Sequence, residues 1–300
     1  MVRPAPAAVR TVAVLDFLAA HPGQVFTLSE LAGRVGVNLA SLLAILQALV
    51  DAGYVVRHPR HKTYGLGPSV VAVGHAALAQ HGVIEHARVA MRPLAAELET
   101  EGVASVVIGD DIVILATEGV APAHARDVRI GQRLPLVPPL GAVFMAWADA
   151  DGVEHWLARG ASSDDRDHHR ALLAATRARG YAVGLETPAR EQLGRVLTGL
   201  ADHPGDAELR DQVPHMVEEL RDDYAVAELA PDGRYAVSVI AAPVFGPSGE
   251  VTLAITLNGF ARDLTGTELA AAGARLVATT RAVTKAAHGR FPRPAAESPA

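Results

Sequence analysis

The sequence lacks cysteine altogether, and it has no long uninterrupted apolar segment. Without cysteine there are no disulfide bonds, no thiolate metal ligands and no cysteine nucleophile. No apolar run approaches the roughly 20 residues that a membrane-spanning helix requires. The first ten residues, MVRPAPAAVR, lack the apolar core of a secretory signal. These absences predict a cytoplasmic protein that does not span a membrane.

The motifs of common catalytic and metal sites are missing as well. The chain has no HExxH, GxSxG or Walker sequence, and no GxGxxG between a strand and a helix. His168 and His169 are neighbours, so their side chains diverge on a helix. His58 and His61 have neither a carboxylate nor a third histidine beside them. We therefore expect no catalytic residues, no metal and no cofactor.

Charge is unevenly distributed along the chain, whose net charge is -6. Residues 1–82 contain six basic and three acidic residues, whereas the remainder contains 21 basic and 30 acidic residues. A basic N-terminal segment followed by an acidic remainder is expected when one domain binds the phosphate groups of nucleic acid and the other does not. The length of 300 residues, half of them hydrophobic, fits two domains that each have a core.

Two short amphipathic helices joined by a tight turn at Gly36 dominate the first quarter of the chain. Thr27 followed by Glu30 is a capping-box start for the first helix, and Asn38 can cap the second. Because so short a connection prevents a parallel arrangement, the pattern predicts a helix-turn-helix. The apolar positions expected in its core are Leu28, Leu31, Ala32 and Val35 in the first helix and Leu39, Leu42, Leu43, Leu46 and Val50 in the second.

A β-ribbon with a basic tip follows the second helix. Residues 54–56 and 63–66 are strand-like and flank the sequence RHPRHK, which completes a winged helix. On the second helix only Ser41 and Gln47 are able to hydrogen-bond base edges, so we expect DNA affinity to depend on the wing. The residues expected to face DNA are Asn38, Ala40, Ser41, Ala44 and Gln47 on the helix and Arg57, His58, Arg60, His61 and Lys62 on the wing.

The residues beyond the wing predict a further helix and an α+β domain. Residues 68–82 form an Ala- and Val-rich helix that is apolar on most of its surface, and we expect a second copy of the chain to cover it. From Val83 onward, strands paired through tight turns alternate with blocks of helices. This pattern predicts an antiparallel sheet flanked by helices. The polar stretch 188–205 allows no secondary-structure prediction.

The order of several short motifs resembles that of the IclR family of bacterial transcriptional regulators. The helix pair and wing, with RTVAVLDFLAAHP before them and YGLGP after them, resemble that family's N-terminal domain. RIGQRLPL, GAVFMAW, TRARGYAV and AAPVFGPSGEVTLAITLNG are similar in order and spacing to its C-terminal effector domain. The expected organisation is a winged helix-turn-helix domain at 1–67, a linker helix at 68–82, a GAF-like effector-binding domain at 83–291 and a disordered tail at 292–300.

The resemblance also implies a small-molecule site on the concave side of the sheet. Carried onto this sequence, its residues are Pro139, Leu140, Gly141, Glu186, Ser238, Val239, Thr256 and Asn258. Backbone amides at the start of the helix after Gly141 would suit an anion, and the polar residues on the last strands would orient a ligand. Family members often have a lysine where this chain has Ala142. Arg129 and Arg133 are therefore the cations expected to pair with a carboxylate group of the effector.

Together these observations predict a dimeric or tetrameric transcriptional regulator that binds double-stranded operator DNA. Its small-molecule effector would shift the relative placement of the DNA-binding domains of two copies of the chain. One alternative is a sensor or adaptor whose degenerate winged helix contacts protein, because the face of the second helix that would contact DNA is small and uncharged. Family members usually have an arginine where this chain has Ala44, so a strong phosphate or guanine contact is missing and DNA affinity is expected to depend on the wing and on helix N-termini. Another alternative is an enzyme with a vestigial DNA module.

Overall fold

The computed structural model describes residues 5–120, 128–160, 165–220 and 224–292. The described residues form two compact units. The first consists of the residues up to His81 together with Arg129–Gln132 and Leu193–Val213, and the second contains the others. The predicted disordered tail, residues 292–300, lies outside the described residues apart from Pro292.

The first unit contains the predicted winged helix-turn-helix. Three antiparallel strands form its small sheet in the order β1-β3-β2. Its helices and strands are α1 (Pro6–Ala19), β1 (Phe26–Thr27), α2 (Leu28–Val35), α3 (Leu39–Asp51), β2 (Val55–Arg57) and β3 (Thr63–Leu66), followed by α4 (Pro68–Gln80).

Local capping fixes the two helices of the motif, as the sequence predicts. The backbone N–H of Thr27 donates to Glu30 Oε2 at 2.7 Å, and Thr27 Oγ1 accepts from the backbone N–H of Glu30 at 3.3 Å. Asn38 Oδ1 accepts from the backbone N–H of Ser41 at 2.9 Å, which satisfies a free donor at the start of α3. Gly36 has a φ of 70°, a left-handed conformation that glycine adopts without steric cost.

The core of the winged helix confirms most of the predicted apolar positions but not Leu39 and Leu43. Their side chains are 52% and 48% exposed, so the expectation that they are buried is wrong. Helix α3 instead buries Leu42, Leu46 and Leu49, which recur at i, i+4 and i+7. Because each residue turns the helix by about 100°, Leu39 and Leu43 lie at the margin of that stripe and face outward.

The second unit is built on a six-stranded antiparallel sheet with the strand order β6-β5-β4-β10-β9-β7. Its strands are β4 (Glu101–Ile108), β5 (Asp111–Gly119), β6 (Arg133–Pro135), β7 (Ala182–Leu185), β9 (Val237–Phe245) and β10 (Val251–Asn258). A separate two-stranded sheet pairs β8 (Arg234–Tyr235) with β11 (Leu264–Thr265). This arrangement confirms the predicted α+β class.

Helices pack against the six-stranded sheet. α5 (Gly82–Leu98) and α11 (Gly266–Ala286) share a single hydrophobic core with strand residues that include Ile240, Ile255 and Leu257. α6 (Ala142–Met145) packs against β9 and β10. The antiparallel sheet is thus flanked by helices, as the sequence predicts.

The remaining helices are α7 (Ala150–Ala158), α8 (Arg166–Arg179), α9 (Pro188–Asp202) and α10 (Ala207–Glu218). The polar stretch 188–205 is therefore largely helical. It buries Leu193, Val196 and Leu197 on one side of α9, and that amphipathic spacing stabilises the helix. Among the described helices, none is by itself long and apolar enough to cross a membrane, and only the bent pair α2 and α3, taken together, reaches that length and composition.

Candidate DNA interface and effector site

The outer face of α3 is exposed and largely apolar. Ala40, Ala44 and Gln47 are exposed, and Ser41 is half-buried. With Leu39 and Leu43 exposed at its margin, this face presents methyl groups rather than charges. The side-chain amide of Gln47 donates to Asp51 Oδ1 at 2.7 Å, so one of the two polar groups on the face is held within the helix.

The tip of the wing is exposed and is shaped by one histidine. His58 N donates to Thr63 O at 2.8 Å and closes the ribbon. His58 Nδ1 accepts from the backbone N–H groups of Arg60 and His61 at 3.3 and 3.1 Å, so this ring nitrogen carries no proton in that arrangement. Lys62 adopts a φ of 52°, which turns the chain back into β3. His58 therefore holds the basic tip in its turn.

The base of the wing carries a further cation, Arg57, at a fixed position. Arg57 lies opposite Tyr64 in the pairing of β2 with β3, and its guanidinium carbon is 5.8 Å from the centre of the Tyr64 ring. Tyr64 is buried, which anchors the arginine by a cation–π contact. The five predicted wing residues are thus exposed together on one ribbon.

On the sheet, three of the predicted effector residues share one face. Asn258 pairs with Val239 on β9 and with Glu101 on β4, and residues directly opposite each other in a sheet point to the same side. Thr256 lies two residues before Asn258 and points the same way. Asn258 Nδ2 lies 3.5 Å from Oε2 of Glu101, a buried carboxylate that sequence reasoning missed. The only feature of the sequence that indicates a role for Glu101 is a charged residue at the start of an apolar strand.

Ser238 occupies an irregular position in β9. Gly184 pairs with Val239 and Leu185 pairs with Val237, so Ser238 has no register partner on β7. Regular alternation of side chains therefore does not extend through this residue. The exposed Glu186 follows β7, and its backbone N–H donates to Ala236 O at 2.7 Å.

Tyr224 is a second residue that the sequence pattern does not reveal. It is buried, and its ring packs so closely on Gly184 that a Cβ at that glycine would lie 2.5 Å from the Tyr224 Cζ atom. Gly184 pairs with Val239, so the tyrosine ring covers the side of the sheet that Val239 shares with Asn258.

The segment before α6 is tightly packed. Leu140 is buried, and its carbonyl oxygen accepts from Trp156 Nε1 at 3.0 Å. Gly141 has a φ of 80°, a left-handed conformation that favours glycine, and a Cβ there would also lie 2.3 Å from Leu136 Cδ1. α6, the helix that begins after Gly141, is a single turn. The remaining predicted residue of this segment, Pro139, follows Pro138 in a cis peptide.

The two cations expected to meet a carboxylate ligand already pair with carboxylates of the chain. Arg133 NH1 donates to Asp111 Oδ2 at 3.2 Å. Arg129 belongs to the first unit, where it pairs with Asp202. Among the described residues, no group of three or more His, Cys, Asp or Glu side chains is arranged to hold a metal ion.

A winged helix-turn-helix combined with an antiparallel α+β domain defines a class of two-domain DNA-binding regulators. Residues 7–59 match the model of the IclR helix-turn-helix domain. The chain is 24% identical over 193 residues to the Pca regulon regulatory protein of Pseudomonas putida, covering 58% of this chain and 66% of that protein. The match thus spans just under two-thirds of that relative. Residues 7–59 thus form an IclR-type helix-turn-helix domain, as the motifs predict, and the chain as a whole is similar to IclR-type regulators.

Solved structures share the fold over almost the whole chain. An IclR transcriptional regulator from Alicyclobacillus acidocaldarius is 21% identical, with a TM-score of 0.65 over 95% of this chain and 100% of that one. An IclR homologue from Microbacterium hydrocarbonoxydans, complexed with 4-hydroxybenzoate, is 16% identical, with a TM-score of 0.60 over 94% of this chain and 98% of that one. These likenesses establish the fold.

Proposed function

We propose that this IclR-type protein is a transcriptional regulator that binds double-stranded operator DNA through α3 and the wing. The observation that carries the proposal is the joint exposure of the α3 face and of a wing that bears Arg57, Arg60 and Lys62. In winged helices the second helix of the pair enters the major groove, while basic groups on flanking elements contact phosphates. The basic excess of the first 82 residues fits that role.

The composition of α3 determines how the DNA would be read. Leu39, Ala40, Leu43 and Ala44 offer apolar contact to thymine methyl groups, and Gln47 and Ser41 are the available hydrogen-bonding groups. We therefore propose modest sequence discrimination, with most of the affinity coming from the wing and from helix N-termini.

The second unit would hold the effector. Val239, Thr256 and Asn258 share a face of the sheet with the buried Glu101, which combines apolar surface with a few polar groups, as small-molecule sites do. The complex of the Microbacterium homologue with 4-hydroxybenzoate supports a small organic ligand for this fold. We propose that Pro139, Leu140, Gly141, Glu186 and Ser238 complete the site.

A second copy of the chain would cover α4. None of its residues is buried, although the helix contains Val71, Val73 and Leu78, which are 72%, 52% and 41% exposed. Exposed apolar surface of this kind is typical of an interface. A symmetric dimer, or a tetramer built from it, would present a pair of DNA-binding domains to a two-fold symmetric operator. Such a regulator would act in the cytoplasm, where bacterial DNA lies.

The apolar α3 face favours one rival function, an adaptor whose winged helix contacts protein. A gel shift with DNA from the promoter region of its own gene, repeated over a range of salt concentrations, separates the two functions. The regulator predicts a complex that weakens as salt rises, because bound phosphates release counterions. The adaptor predicts no complex at low salt.

A further inference from the structure

A cavity at one edge of the six-stranded sheet is lined by basic and aromatic side chains. Its volume is about 720 Å³, which is within the size range of small-molecule sites. β7 pairs with β9 only between Val237 and Ala241, and the cavity lies beside the remainder of β9, at Pro243 and Phe245. None of the eight predicted effector residues, all of which the structure describes, lines this cavity.

Three aromatic rings form the apolar wall of the cavity. The buried Phe245 lies between the other two, with ring-centre distances of 5.5 Å to Trp147 and 6.0 Å to Phe291. Both contacts are close to edge-to-face, at 76° and 73°. Such an arrangement offers ring faces and edges to a further planar group.

Two exposed cations on α11 also line the cavity. Arg281 and Lys285 are four residues apart on this helix. Residues at this spacing lie on the same helix face, so the two like charges repel each other. Within the part of the chain that the structure describes, neither has an acidic partner, and no acidic residue lines the cavity. A bound anion would relieve that repulsion.

Two further arginines on the cavity wall are oriented by backbone carbonyls instead of carboxylates. Arg177 Nε donates to Ala146 O at 2.6 Å. Arg179 Nε donates to Tyr181 O at 2.7 Å, and its NH1 donates to Val226 O at 2.9 Å. Burial lowers the pKa of the Arg179 guanidinium, but an arginine remains a cation at neutral pH. These contacts hold positive charge at the cavity without neutralising it.

We propose that this cavity is a binding site for a planar aromatic carboxylate, separate from the effector site proposed above. The ring packs against Phe245 and Trp147, and the carboxylate meets Arg281 and Lys285. A charge-assisted hydrogen bond from arginine is among the stronger polar contacts, and a stacked ring adds apolar contact. The combination excludes aliphatic cations and selects anions with a flat body.

Calorimetric titration of the full chain with benzoate, phthalate and uncharged benzamide tests the proposal. We expect both acids to bind and benzamide to bind at least tenfold more weakly. The double variant Arg281→Gln with Lys285→Gln should weaken acid binding at least tenfold. Both residues are exposed, so the variant should fold normally. Arg234→Gln removes an exposed arginine outside the cavity and should bind the acids like the unmodified chain.

A second variant separates this site from the proposed effector site. Asn258→Leu should leave binding of the acids at the cavity unchanged. Any one of three results would overturn the proposal. These are failure of both acids to bind, equally tight acid binding by the double variant and the unmodified chain, and loss of acid binding in Asn258→Leu. A change in sedimentation of the double variant without any change in acid binding would also overturn it, because the cations would then serve a contact between copies. None of these results depends on DNA binding, so the proposed function is tested separately.

Discussion

His21 Nε2 lies 3.0 Å from Asp202 Oδ1, although 181 residues separate the two along the chain. The His21 side chain is buried, and its Nδ1 is 2.7 Å from Phe17 O. Arg129 pairs with the same carboxylate oxygen. The backbone carbonyl of Asp202 also accepts from Arg34 at 3.2 Å. The end of α9 is thus bonded to His21, just after α1, and to Arg34 of α2 within one compact unit.

This contact predicts a pH-dependent contribution to stability. Burial of Asp202 opposes its charged form, but hydrogen bonds from Arg129 and His21 outweigh burial and lower the pKa below its ordinary value of 3.8. The unfolded chain therefore binds this proton more tightly. The carboxylate stabilises the folded state above the ordinary pKa, and that contribution is lost as pH falls through the folded pKa.

Asp202→Asn should reduce the free energy of unfolding at neutral pH by about 1 kcal/mol, a small value because a third of the side chain is exposed to screening solvent. Urea denaturation at several pH values measures the difference, with the exposed Asp232→Asn as control. The difference should shrink as pH falls below about 4. A difference that stays constant down to about pH 2 would show that the charge of Asp202 contributes nothing.

The wing should supply much of the salt dependence of DNA binding. Arg60→Ala combined with Lys62→Ala removes two exposed cations, and the slope of log affinity against log salt should become shallower by about 2. Fluorescence anisotropy with a promoter fragment measures the slope. Arg234→Ala, in the other unit, serves as the control. An unchanged affinity and slope in the double variant would remove the wing from the interface.

Restoring a basic residue to α3 should strengthen binding. Ala44 is exposed in the middle of that helix, so Ala44→Arg adds a cation without disturbing the core. We expect a tighter complex and a salt slope steeper by about 1. Ala271→Arg is a matched change on α11 and should have no such effect. Equal affinities of the Ala44→Arg variant and the unmodified chain would indicate that α3 does not approach DNA.

Asn258 should be needed for the effector response. Asn258→Leu removes the polar group beside Glu101, and we expect at least a tenfold loss of effector sensitivity in DNA binding, with the thermal midpoint close to that of the unmodified chain. Thr252→Val changes another polar residue on the same strand and should respond normally. An unchanged response would exclude Asn258 from the site.

The α4 surface should control association of two chains. Val71 and Leu78 are seven residues apart, hence on one side of the helix, and both are exposed. Val71→Asp with Leu78→Asp should convert dimers into monomers in sedimentation experiments, because the new charges oppose burial. Val89→Asp, at an exposed valine of α5, should leave the dimer intact. Dimers that persist in the double variant would assign the interface elsewhere.

Local signals make the winged helix predictable. The Thr27 and Glu30 capping box, the Asn38 cap and Gly36 lie within a few residues of the groups they satisfy, so the sequence contains the whole interaction. The exposure of Leu43 is not predictable from periodicity, because several stripes of leucines on α3 satisfy the same spacing.

Long-range pairing accounts for most of what sequence reasoning missed. The partnership of Asp202 with His21 and Arg129 joins three distant segments, so no spacing rule reveals it. No spacing rule reveals the contact of Glu101 with Asn258 either, because that contact depends on the order of strands in the sheet. Proximity in sequence favours Arg129 as a ligand contact, but its carboxylate partner comes from elsewhere in the chain.

Hydrogen–deuterium exchange of the full chain, with and without DNA from its own promoter region, tests the central claim most directly. The account predicts that DNA protects the backbone amides of residues 38–48 on α3 and 57–63 on the wing, while the strands of the second unit exchange at unchanged rates. DNA binding that leaves those two segments unprotected, or no binding at low salt, would contradict it.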